Sequence, residues 1–203
     1  MTFSIRQYEP RDFEAVYYVC LKTGDGGEDA TTLYDDPNIL GHMYVGPYVT
    51  LEPSLAFVLE DTSGVCGYVL GALTSLSFYE RMRTQWLPRI QAQVPNPAGD
   101  PAMWTHTEHL YHQVHHPKET LPEPLHAYPS HLHIDLLPRA QRQGNGSKMM
   151  AVLLDELKAQ GSQAVHLGMD PDNERALRFY RKLGFARIEG VSNVNGLYLG
   201  KQL

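Results

Sequence analysis

This sequence of 203 residues has only two cysteines, few tryptophans and no long apolar run. Cys20 and Cys66 fall within apolar patterns, so we expect buried, reduced thiols rather than a disulfide framework, as in a cytoplasmic protein. No apolar stretch approaches the length of a membrane span, and charges among the first dozen residues disfavour a signal peptide. The net charge of −6 disfavours nucleic acid and anionic membranes as partners.

The composition is that of an ordinary globular protein, with 42% hydrophobic and 20% charged residues. The length suits one α/β domain with an additional segment. We expect a single domain over residues 1–203, with an insertion at residues 75–129, where most of the prolines and histidines lie. We leave open whether the chain forms a homodimer.

Hydrophobic periodicity predicts a mixed β-sheet flanked by helices, in the order β, α, α, β, β, insertion, β, α, β, α, β. The first helix has an apolar stripe and ends at Gly24 as a C′ residue. Two helices are predicted in the insertion, at roughly Phe78–Gln93 and Thr105–His115. In the strand "SHLHIDLL", apolar side chains alternate with His131, His133 and Asp135, which predicts a strand buried on one side.

A glycine-containing loop, "QRQGNG" at residues 141–146, lies between this strand and the next predicted helix. The first amides of a helix are unpaired and lie at its positive end, so they can hold a phosphate where glycines leave room. A Walker loop requires Lys where Ser147 stands, and a Rossmann fingerprint requires Gly where Met149 stands. We therefore expect a pyrophosphate site of another kind.

This loop is followed about 27 residues later by N-x-x-A-x-x-F-Y-x-x-x-G-F, which begins at Asn173 and ends at Phe185. The pair of motifs, with a strand between them, resembles the signature of GNAT acetyltransferases. Nearly the whole chain, including "HLHIDLLP" and "FYRKLGF", is also similar to bacterial relatives of the C-terminal acetyltransferase-like domain of O-GlcNAcase. The glycoside hydrolase part of that protein is absent from this sequence.

The resemblance implies a GNAT fold and acetyl-CoA as cosubstrate, bound by a core at residues 130–185. It implies that the backbone of Leu136 and Leu137 pairs with the pantetheine arm and that Asn173 contacts the pantetheine region. Tyr180 would lie near the thioester sulfur. The pyrophosphate would be held by the loop, whose predicted binding residues are Gln141, Arg142, Gln143, Gly144, Asn145, Gly146 and Ser147. Arg139 and Arg142 either add charge at the phosphates or are solvated.

The expected reaction is direct transfer of an acetyl group to a primary amine in a ternary complex. Tyr180 is the candidate donor to the leaving thiolate, since a phenol titrates near 10. Asp135 is the candidate catalytic carboxylate, either as a base or in a structural hydrogen bond. His133 is the alternative base, because an imidazole titrates near 6.5.

The acceptor is not identified by the sequence: a small amine, an aminosugar and a protein lysine stay open. Acidic residues in the loop Gly24–Thr31 either receive a cationic amine or cap a solvated turn. The five histidines between residues 106 and 116 allow a metal site, but no cysteine or carboxylate cluster joins them, and we expect no metal. A non-catalytic acyl-CoA-binding or protein-interaction module is the rival interpretation.

Overall fold

The computed structural model describes residues 2–117, 120–191 and 196–203. Its centre is a seven-stranded sheet in the order β1-β2-β3-β4-β5-β7-β6. Neighbouring strands are antiparallel except for the parallel pair β4 and β5. The strands are β1 Ser4–Gln7, β2 Ala56–Asp61, β3 Gly64–Ala72, β4 Ser130–Leu136, β5 Ala164–Met169, β6 Ala186–Arg187 and β7 Leu197–Gln202.

Helices cover both faces of the sheet, which confirms the predicted mixed α/β architecture. They are α1 Phe13–Thr23, α2 Ile39–Tyr44, α3 Gly46–Leu51, α4 Ser75–Arg81, α5 Leu87–Gln91, α6 His106–His115, α7 Asn145–Ala159 and α8 Glu174–Lys182. Among the described residues, no helix is long and apolar enough to cross a membrane. That residues 75–129 form an insertion stays a prediction.

Two helical predictions need local correction. The segment predicted as one helix at Phe78–Gln93 is α4 and α5 joined by a π-helical turn at Met82–Trp86. Pro88 has no N–H to donate, so a regular α-helix is interrupted at this point. Gly24 follows α1 as predicted, but its φ of −75° is not left-handed. The glycine is needed because a Cβ there would lie 2.5 Å from Leu40 Cδ1.

The prediction that the strand "SHLHIDLL" is buried on one side is wrong. β4 is central in the sheet, and both α1 and α7 contact it. Leu132 is 5% exposed and His131, whose side chain points to the opposite face, is 3% exposed. Because both faces of β4 are covered near its start, only its C-terminal part is accessible to a ligand.

β4 and β5 are paired only at their first residues. The register joins Ser130 to Val165 and His131 to His166, although β4 continues to Leu136 and β5 to Met169. The two strands therefore separate toward their C-terminal ends. This separation opens a cleft in the middle of the sheet, next to the start of α7.

Candidate active site

A cleft of about 590 Å³ lies where β4 and β5 separate. It is lined by the loop before α7, the beginning of α8, α1, α2 and the loop after α1. Most of the residues predicted to bind a cofactor line this cleft: Leu136, Gln141, Arg142, Gly144, Gly146, Ser147, Asn173 and Tyr180. Asp135 also lines it.

The backbone edge of β4 that faces the cleft belongs to Ile134 and Leu136. The amide of Leu137 donates to the carbonyl of Cys66 on β3 at 2.8 Å. Because backbone groups of successive strand residues point to alternate sides, the groups of Ile134 and Leu136 point toward β5. Leu137 is buried, and its amide is not available to a ligand. Of the two predicted residues, Leu136 therefore lies at this edge and Leu137 does not, and Ile134 lies there in addition.

The loop before α7 presents a row of free amides. Within the part of the chain that the structure describes, the amides of Arg142 to Ser147 donate no hydrogen bond to the protein. The conformation depends on two left-handed residues, Arg142 at φ 61° and Gly144 at φ 77°. A non-glycine residue in this region is strained, and such strain is often found at functional sites. No atom lies within 4 Å of a Cβ built on Gly144.

Three polar side chains hold this loop in shape. The Nε2 group of Gln141 donates to the carbonyl of Leu136 at 2.7 Å. Asn145, which is 3% exposed, donates to the carbonyl of Ala140, and Gln143 donates to that of Arg139. Gln143 and Asn145 do not line the cleft. Their side chains therefore shape the loop, and only their backbone amides are free to bind a ligand.

Asn173 links the start of α8 to the loop after α1. Its Oδ1 accepts a hydrogen bond from the amide of Ala176, which caps α8, and its Nδ2 donates to the carbonyl of Gly26 at 2.7 Å. Arg175 follows Asn173 by two residues, donates to Oε1 of Gln141 and also lines the cleft. Sequence analysis missed Arg175. Its position two residues after a capping asparagine was the only available signal.

Tyr180 contributes a phenol at the middle of the cleft. The residue is 9% exposed and packs against Phe179 and Phe185. Burial, followed by the negative charge of Asp135, raises the pKa of Tyr180 above its ordinary value. The phenol is therefore neutral and able to donate a hydrogen bond across the working pH range of a protein.

Asp135 belongs to a polar group at the floor of the cleft. The hydroxyl of Tyr68 on β3 donates to its Oδ2 at 2.6 Å. The Nε2 atom of His133 lies 3.1 Å from the same oxygen. Tyr68 is fully buried, and burial raises its pKa well above the ordinary value, so it stays a donor. Sequence analysis did not find Tyr68, because its pairing with Asp135 depends on the register between β3 and β4.

Comparison with known proteins gives three findings. A family model described as the acetyltransferase (GNAT) family matches residues 111–185. The crystal structure of SsHAT superposes with a TM-score of 0.92 at 38% identity, covering all of this chain and 98% of that one. Protein O-GlcNAcase of Rattus norvegicus is 34% identical over 205 residues, which cover 99% of this chain and 22% of that protein.

The chain belongs to the GNAT acetyltransferase family. It spans about a fifth of the rat protein's length, so the activity of that whole protein is not carried over. The PaiA N-acetyltransferase from Thermoplasma acidophilum, solved in complex with coenzyme A, shares the GNAT fold at 12% identity with a TM-score of 0.61. The superposition covers the whole of this chain and the whole of PaiA.

Several predicted charges lie outside the cleft of this GNAT domain. Asp29 is paired with Lys22 at 2.8 Å, and the side chain of Glu28 is 77% exposed. Neither they nor Asp25 line the cleft, so the loop contributes glycine backbone rather than acids. Arg139 pairs with Asp61 at 2.9 Å and does not line the cleft either, which leaves Arg142 and Arg175 as its cations.

The histidines of α6 lie away from the cleft. His109 and His112 pack against Trp104, and His112 stacks on His116 with ring centroids 4.3 Å apart. Within residues 2–117, 120–191 and 196–203, no group of three or more His, Cys, Asp or Glu side chains is arranged to hold a metal ion. The packing around Trp104 accounts for three of these histidines.

Proposed function

We propose that this protein binds acetyl-CoA and transfers the acetyl group to a primary amine. The observation that carries the proposal is the row of six free amides from Arg142 to Ser147, placed beside the open edge of β4. Unpaired amides at a helix start are a ready site for a diphosphate. Arg142 and Arg175 add positive charge at the same end of the cleft.

The shape of the cleft fits an elongated ligand with a phosphate end and an extended arm. Space is open above Gly144, where a phosphate would approach the loop. The backbone groups of Ile134 and the amide of Leu136 suit an arm that carries amide groups, since amides pair with a strand edge. Coenzyme A has both features, and a protein of the same fold, PaiA, was solved with it.

Acetyl-CoA would supply an acetyl thioester at the middle of the cleft, between Tyr180 and Asp135. The neutral phenol of Tyr180 donates a hydrogen bond to the departing sulfur and stabilises its negative charge, and the thiolate takes its proton from solvent after release. Asp135 is the carboxylate placed to attract the ammonium form of an amine and to take part in removing its proton. The acceptor is a primary amine of a small molecule, an aminosugar or a protein lysine.

A non-catalytic acyl-CoA-binding module is the second candidate. One observation favours it: the acids of the loop after α1 do not line the cleft. Among the described residues, the carboxylates that line it are Asp135 and Asp170, which directly follows β5. A protein that has kept the phosphate loop and lost its acceptor site would bind acetyl-CoA without turnover. A panel of primary amines with a thiol-release assay separates the two candidates.

Calorimetry with acetyl-CoA tests the donor site directly. We expect measurable binding to the unaltered protein, and at least tenfold weaker binding to Gly144→Trp, because the indole fills the space above the loop. Gly99→Trp is the matched control, since Gly99 has a similar positive φ and open surroundings but lies outside the cleft. Equal affinity of the two variants would overturn the site assignment.

A further inference from the structure

The imidazole of His133 lies between two tyrosine rings on the cleft side of β4. Its ring centroid is 6.0 Å from that of Tyr44, which stacks on it, and 5.6 Å from that of Tyr68. The side chain is 32% exposed and lines the cleft. The ring is thus fixed in position by packing while one of its edges is accessible.

The two ring nitrogens of His133 have different surroundings. Nε2 is enclosed, and it has no aligned hydrogen bond within the described residues. Its nearest acceptor is Oδ2 of Asp135 at 3.1 Å. Nδ1 is not among the enclosed unpartnered atoms and is bonded to none of the described residues, so the exposed edge of the ring carries Nδ1.

An enclosed N–H without a partner is unfavourable, because it has lost its hydrogen bonds to water and gained none in the protein. A small rotation of the ring aligns Nε2–H with Asp135, which removes that cost and leaves the lone pair on Nδ1 in the cleft. The carboxylate is held in turn by the hydroxyl of Tyr68, which stabilises its charged form. The Tyr68 hydroxyl, the Asp135 carboxylate and the His133 imidazole thus follow one another. In such an arrangement the carboxylate fixes the tautomer of a histidine base.

We propose that His133 is the general base of this site, acting through Nδ1, and that Asp135 and Tyr68 are positioning residues for it. This rests on the proposed acetyltransferase function and assigns its proton acceptor. An N–H bond of the acceptor's ammonium group breaks, its electron pair stays on the amine nitrogen, and the proton binds to Nδ1. The imidazolium, stabilised by Asp135, then releases the proton to solvent.

The ionisable groups around His133 come from several elements. Tyr44 is on α2, Cys20 on α1, Tyr68 on β3 and Tyr180 on α8, while His131 and Asp135 flank it on β4. Burial raises the pKa values of Cys20, Tyr68 and Tyr180, and lowers the pKa of His131 well below its usual value. These groups are therefore neutral at pH 7, and Asp135 is the carboxylate in contact with His133 among the described residues.

Nitrogen NMR of ¹⁵N-histidine-labelled protein tests the assignment without an acceptor or acetyl-CoA. The His133 signals are identified by their loss in His133→Gln. At pH 8, we expect the proton on Nε2 and the unprotonated shift on Nδ1. Asp135→Asn replaces the charged acceptor by an amide, so we expect part of the proton population to move to Nδ1, and Tyr68→Phe changes the signals less. The exposed His126 is the internal control and keeps its signals in both variants.

A proton on Nδ1 in the unaltered protein, or an unchanged tautomer in Asp135→Asn, would overturn the proposal. Thiol release from acetyl-CoA gives the second readout: His133→Gln lowers kcat at least tenfold at pH 8 and changes acetyl-CoA affinity by less than threefold. Full activity of His133→Gln would also contradict it. If the unaltered protein does not bind acetyl-CoA at all, the proposed function itself is refuted. The failure of the His133 proposal and the failure of the proposed function are therefore distinguishable.

Discussion

Gly146, in the first turn of α7, lies directly against the ring of Phe179 on α8. A Cβ on residue 146 would stand 3.2 Å from Cζ and 3.4 Å from Cε2 of that ring. The backbone at Gly146 is helical, since it is not among the residues with positive φ. The glycine is required by close approach of the two helices, and not by its own conformation.

Gly146→Ala is therefore expected to couple with a change at Phe179. Alanine favours a helix over glycine by roughly 1 kcal/mol, but here its methyl group pushes on the ring. Phe179→Leu relieves that contact. The change in the free energy of unfolding caused by Gly146→Ala should therefore be more favourable by about 1 kcal/mol in the Phe179→Leu variant than in the unaltered protein. Urea denaturation of the four proteins measures the coupling. Additive changes in the free energy of unfolding would show that the ring does not limit residue 146.

Tyr180→Phe should lower turnover more than binding. The hydroxyl makes no hydrogen bond with the described residues, so its removal costs little stability, whereas a proton donor contributes typically 10²–10⁴-fold to a rate. We expect kcat for thiol release to fall at least tenfold and acetyl-CoA affinity to change less than threefold. Tyr111→Phe is the control, because its hydroxyl bonds Asp36 away from the cleft. A loss of affinity with kcat unchanged would place Tyr180 in binding alone.

The loop before α7 was predictable from sequence because its signals are local. Glycines at residues 144 and 146, a strand before them and an apolar helical stripe after them are all adjacent in the chain. Tyr68 was not predictable in the same way. It lies 67 residues from Asp135, and only the antiparallel register between β3 and β4 brings the two together. A pattern in one strand contains no information on that register.

The same reason explains why Leu137, predicted to bind the ligand at the end of β4, does not face the cleft. Leu136 and Leu137 are equally apolar in the sequence, and their backbone groups differ only in the strand that each faces. The bond from Leu137 to Cys66 decides this, and it too depends on the register with β3. Arg175 was missed because its role follows from where α8 begins relative to Gln141, 34 residues away in the chain.

Two substitutions at Asn173 should separate capping from tethering. Asn173→Asp keeps an oxygen that accepts from Ala176 but has no donor for the carbonyl of Gly26, whereas Asn173→Ala loses both bonds. We expect faster amide exchange in the loop of residues 24–30 in both variants. Only the alanine variant should also lose about 1 kcal/mol of stability, the usual value of a cap. Unchanged exchange in both would show that the loop is held by other contacts.

Stability should depend on pH through Asp12. This buried carboxylate binds Arg6 through both oxygens, at 2.6 and 2.8 Å, and also accepts from the amide of Glu9. The hydrogen bond with Arg6 holds the pKa of Asp12 below its usual range, against the opposing effect of burial. A carboxyl with a depressed folded-state pKa stabilises the protein above its unfolded-state pKa, and that stability is lost as the pH falls through the folded-state value.

Asp12→Asn should therefore destabilise the protein by about 2 kcal/mol at pH 7, as expected for hydrogen bonds to a charged group, and by clearly less below about pH 4. Glu174→Gln is the control, since its pair with Arg178 has side chains that are 79% and 65% exposed and should contribute little at either pH. Chemical denaturation at pH 7 and pH 3 measures both. If Asp12→Asn costs the same at the two pH values, the contribution comes from packing, because protonation of Asp12 in the unfolded chain near pH 3 reduces any contribution that depends on its charge.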